Sequence, residues 1–85
     1  MPRLASLGST QVRVYPDDTR KHKRPHFHAA SPDGDAVIGL PECDVIAGSV
    51  RNMGEVLEWA GQAENLARLI AAWDLGNPGM KVRRS

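Results

Sequence analysis

The hydrophobic period changes once along this chain, near residue 50, and no other feature constrains its fold as tightly. Before that point apolar residues alternate. In "QVRVY" Val12 and Val14 fall on one face and Gln11, Arg13 and Tyr15 on the other, the two-residue period of a half-buried strand. "RLASL" can pair with it across "GST". "HFHA" alternates again, "SPDGD" is a hairpin signal in which proline sets the first turn position and glycine the left-handed one, and "AVIGL" is the return strand. "CDVIAGSV" supplies a fifth strand.

After residue 50 the spacing is three and four. Met53, Val56, Leu57, Ala60, Ala63, Leu66, Ala67, Ile70 and Trp73 form a helical stripe. Asn52 is placed to cap it, with Glu55 in the capping-box position. Gly61 bends or breaks the helix, and Gly76 followed by Pro78 ends it. These elements predict an α+β domain over residues 1–76: a small antiparallel sheet of four to five strands, then one long or two shorter C-terminal helices packed on one face. Residues 77–85, "NPGMKVRRS", read as a disordered basic tail.

A chain of 85 residues buries only about 60–65% of its unfolded surface, so a partner that completes the core is a reasonable expectation. Trp59 and Trp73 on the helix suggest a homo-oligomer through that region. The net charge of +1 gives no global nucleic-acid signal, although cations cluster at Arg20–Arg24 and in the tail. A single cysteine, Cys43, excludes a disulfide framework and a cysteine-rich zinc knuckle. It reads as a buried, inert thiol in preference to a nucleophile. The N-terminus lacks a signal-peptide core and no stretch reaches membrane-spanning length, so the expected setting is cytoplasmic, without a membrane partner.

All three histidines, His22, His26 and His28, lie within "HKRPHFH". On a strand His26 and His28 share a face about 7 Å apart, while Phe27 points into the core. Pro25 stiffens the strand entrance. Arg13 and Tyr15 join the histidine face if Val12 and Val14 share the core with Phe27. Three chemistries use such a face. His26 and His28 could act as base and acid in metal-independent RNA cleavage, a ribonuclease toxin. Arg13, Tyr15, Arg20, Lys21, His22, Lys23 and Arg24 could form a binding surface for RNA, DNA or an acidic protein. His22, His26 and His28 could hold zinc with an open water position. The fixed charge of Arg20, Lys21, Lys23 and Arg24 opposes a divalent ion, with Asp17 and Asp18 offsetting part of it, so the expectation is no cofactor.

The segments "RVYPDD", "HKRPHFHA" and "PDGDAVI" also resemble a small bacterial family, domain of unknown function 4160, over most of the chain from about Val12 to Trp73. His22, Pro25, His26, Phe27 and His28 fall on its motif, and Tyr15, Glu58, Trp59 and Trp73 on companion positions. Arg24 replaces the first proline of the motif, and Asp17–Lys21 is longer than the usual connection. The resemblance implies the same fold and an association with toxin–antitoxin-like gene pairs. Joined to the histidine face, it predicts a component of such a module that binds a small protein encoded nearby, and RNA as a further partner.

Overall fold

A computed structural model describes residues 3–20 and 23–82. Five strands come first: β1 (Arg3–Leu7), β2 (Thr10–Arg13), β3 (His26–Ser31), β4 (Gly34–Gly39) and β5 (Val45–Gly48). Two helices follow, α1 (Met53–Gly61) and α2 (Ala63–Gly76), then a 3-10 turn at Pro78–Met80. The strands form one antiparallel meander in the order β1-β2-β3-β4-β5. The fold is α+β.

Register follows from the alternation. Val12 pairs with Ala29, Ala29 with Ala36, and Phe27 with Ile38. These residues are at most 1% exposed, and they pack with Val56, Ala60, Leu69 and Trp73 of the helices. Burying a side chain such as Phe27 contributes roughly 1.5–3 kcal/mol. The opposite face starts from the pairs Arg13–His28 and His28–Val37. Because side chains two apart share a face, Tyr15 belongs with Arg13.

Pro32 and Asp33 make the β3–β4 turn, with Ser31 and Gly34 paired across it. Gly34 therefore opens β4 and does not take the left-handed turn position expected of it. That backbone is used instead by Gly48, at φ +74, where a Cβ would strike the Asp35 carbonyl. The helical stripe is two shorter helices, separated at Gln62, whose backbone is extended (φ −70, ψ 136). Asn52 precedes α1, but its side chain makes no cap hydrogen bond to the helix backbone. It accepts from Thr10 Oγ1 at 2.6 Å and donates to the Leu7 carbonyl at 3.0 Å and to Glu55 Oε1 at 3.1 Å. The residue expected to cap the helix ties it to the β1–β2 hairpin, because Thr10, only 1% exposed, needs a partner inside the protein.

Two further expectations need correction. Trp73 is fully buried, and its Nε1 donates to the Met80 carbonyl at 2.7 Å. It is spent within the domain and leaves only Trp59, half-buried, for an interface there. The basic tail also starts later than residue 77. Asn77 is 5% and Val82 7% exposed, and the Val82 N–H donates to Asp74 Oδ1 at 2.8 Å. The indole donor and the Asp74 carboxylate hold this segment against α2. Residues 83–85 lie outside the described residues. No helix among the described residues is long and apolar enough to cross a membrane.

Candidate functional site

The entry to β3 and the exit from β2 meet at one end of the sheet. Pro25 leads straight into β3, and the Leu40 N–H donates to the Pro25 carbonyl at 2.9 Å, which fixes where His26 begins. After β2 the chain passes Tyr15 and Pro16 into a tight turn. Asp17 is left-handed there, at φ 56, a conformation costly for most residues and tolerated best by Asn and Asp. Two hydrogen bonds to the end of α2 hold the turn: Asp17 N–H to the Gly76 carbonyl at 3.0 Å, and Asp18 N–H to Asn77 Oδ1 at 2.8 Å.

This places the Asp18 carboxylate between two imidazoles. His26 Nε2 lies 2.9 Å, and His28 Nε2 2.6 Å, from the same oxygen, Asp18 Oδ2. The two rings meet edge-on with centroids 5.1 Å apart. His26 also packs on the Trp73 indole at 4.8 Å, and His28 meets the Tyr15 ring edge-on at 4.9 Å. Burial pushes the Asp18 carboxyl up, but the hydrogen bonds from His28 and His26 outweigh it and hold the group below its ordinary value. Asp18 is therefore an anion at neutral pH.

The two histidines differ in access. The His26 side chain is 1% exposed, His28 25% and Asp18 29%. Of the pair read as acid and base, only His28 presents its ring to solvent, and the working face narrows to it. Arg13 joins this cluster: its guanidinium donates to Tyr15 Oη at 3.5 Å and to Gln11 Oε1. Arg24 does not. It forks onto both oxygens of Asp44 at 2.9 Å and reaches Glu42 at 3.2 Å, so its charge is matched by neighbouring acids. Arg20 and Lys23 are exposed, whereas Lys21 and His22 lie outside the described residues.

Cys43 is half-buried. Burial, and then the charges of Asp44 and Glu42, raise its thiol above the ordinary value, which suits a protonated, unreactive group.

Sequence reasoning counted Asp18 only as a partial charge offset and assigned Asn77 to the tail. Asp18 had a legible signal, a carboxylate just after Pro16 on the approach to the histidine segment. Asn77 had none, because its role depends on two segments far apart in the chain.

A family model described as Domain of unknown function (DUF4160) matches residues 11–74. The chain belongs to that family. The match runs from the second residue of β2 through all but the last residues of α2, and so includes Asp18, His26, His28 and Trp73. Asn77 falls just beyond it. No curated protein and no solved structure matches the chain.

Proposed function

We propose that this DUF4160 protein is the binding component of a bacterial toxin–antitoxin-like pair, acting in the cytoplasm. It meets a small partner protein through the sheet face opposite its helices. One observation carries the reading: the helices cover one side of the sheet, while the other side holds Arg13, Tyr15, His28, Ala30, Val37 and Ala47 half-buried. Arginine and tyrosine are residues that anchor interfaces, and the two alanines let a partner approach closely. The acid–base ribonuclease reading is less favoured, because His26 is enclosed and a phosphodiester would reach only His28.

The test is co-expression with the product of the adjacent gene, with a tag on one protein only. The pair should purify together, and Arg13→Ala combined with Tyr15→Ala should abolish the association, whereas Glu64→Ala on α2 should not. Failure to co-purify, or full retention by the double variant, overturns the proposal. RNA would be the alternative occupant if the parent protein bound it with a steep salt dependence. Removing Arg20, Lys21, Lys23 and Arg24 together should then flatten that dependence.

A further inference from the structure

We infer that Asp18, His26 and His28 form a binding site for a divalent transition-metal ion of the zinc type. The inference is independent of the partner reading above. It begins with the tautomer of His26. Its Nδ1 lies 2.7 Å from the Arg24 carbonyl oxygen, which can only accept, so Nδ1 carries a hydrogen. The other ring nitrogen, Nε2, points at Asp18 Oδ2 from 2.9 Å, an approach that either a proton or a metal ion between them accommodates.

The surroundings favour the metal. A histidine that donates one ring N–H to a backbone carbonyl and aims the other nitrogen at a carboxylate has the tautomer and orientation of a metal ligand with its outer support already in place. His28 Nε2 converges on the same oxygen from 2.6 Å, and one ligand atom from each of the three residues lies within 4.8 Å of the others. Tetrahedral zinc, with bonds of about 2.0–2.1 Å, spaces its ligand atoms roughly 3.3 Å apart, so the two contacts to Asp18 Oδ2, now 2.9 and 2.6 Å, need to lengthen by roughly 0.4–0.7 Å. Two imidazoles and one carboxylate leave a coordination position free, reached from the side of His28 and Asp18, which are both partly exposed. The left-handed Asp17 and the Asn77 contact hold the carboxylate in place beforehand, as a preorganised ligand requires.

The objection from fixed charge weakens in the folded protein. Arg24, the cation nearest His26 in sequence, is engaged by Asp44 and Glu42. Among the described residues Asp18 is the third ligand beside His26 and His28, and it adds negative charge that imidazoles lack.

Titration of untagged, full-length protein with Zn2+, and with Co2+ as a spectroscopic probe, tests the site. One equivalent should bind, with visible Co2+ bands of a low-coordinate nitrogen–oxygen site and a rise in melting temperature on adding Zn2+. His28→Ala and Asp18→Asn, both at partly exposed positions and checked for folding by circular dichroism, should each weaken binding tenfold or more and remove the thermal shift. Absence of saturable one-to-one binding overturns the inference, as does parental affinity in folded His28→Ala or Asp18→Asn protein.

Discussion

The backbone N–H of Asp18 donates to the side chain of Asn77, 59 residues later in the chain, at 2.8 Å. The same amide spends its own donors on the Tyr15 carbonyl at 3.1 Å and the Trp73 carbonyl at 3.2 Å. One buried side chain thus joins the β2 exit, the carboxylate turn and the end of α2. Asn77→Ala leaves the Asp18 N–H and the Tyr15 carbonyl without this partner. Both contacts are only partly buried, so water relieves part of the loss and the two together should cost about 1–3 kcal/mol. Urea denaturation should show a loss in that range, and a change below about 0.5 kcal/mol would mean that water replaces the amide.

Trp73 should be the most sensitive single position in the helices. It is fully buried, packs on His26 and bonds to the Met80 carbonyl. Trp73→Ala is expected to cost about 3–5 kcal/mol, a large share of the stability of a small domain. Trp73→Phe keeps a ring against His26 but strands the carbonyl, so its loss should be smaller and still measurable. Thermal melts followed by far-ultraviolet circular dichroism would rank the two, and equal midpoints for parent and Trp73→Ala would contradict the packing described.

Two glycines of the helices should respond in opposite directions. A Cβ on Gly76 would lie 2.9 Å from Pro16 Cα, whereas one on Gly54 would meet nothing within 4 Å. Gly54→Ala should stabilise by up to about 1 kcal/mol, because glycine loses more conformational freedom on folding. Gly76→Ala should destabilise, because two backbones must separate. Chemical denaturation of both variants gives the two signs, and stabilisation by Gly76→Ala would exclude close approach to Pro16 as the reason for glycine there.

The Arg24–Asp44 fork predicts a small acid sensitivity. The hydrogen bond from Arg24 is the main cause that holds the Asp44 carboxyl below its ordinary value. A depressed carboxylate contributes stability that is fully present above the unfolded-state value, near pH 4, and is lost as pH falls through the lower folded value. Both side chains are substantially exposed, 40% for Arg24 and 49% for Asp44, so salt should screen the effect. Stability measured from pH 6 to pH 2 should fall less steeply in Asp44→Asn than in the parent, and the gap should narrow in high salt. Parallel curves at low salt would show that the pair contributes nothing.

What sequence revealed of this fold was whatever a short window can hold. The alternation in "QVRVY" and "HFHA" assigned faces to Val12, Val14, Phe27, Arg13 and His28; the register confirms all but Val14, whose burial places it in the core. Gly61 marked the helix break because its cost is local. The same local logic misassigned Asn52, whose amide serves Thr10 and Leu7 in another hairpin. It also ended the domain at residue 76, because nothing in "NPGMKV" announces that Trp73 and Asp74 will bind it back. The site divides the same way. Sequence placed His26 and His28 on one face, but the enclosure of His26 depends on Trp73, and the role of Asp18 on Asn77.

The meander and the Asp18–Asn77 contact differ in how far apart along the chain their partners lie. Each strand pairs with its sequence neighbour, so the sheet can zip up from local hairpins with little loop-closure cost. The carboxylate turn cannot, since its anchors lie at Gly76 and Asn77. The geometry of the triad therefore depends on the far end of α2 as much as on the sheet that carries the two histidines.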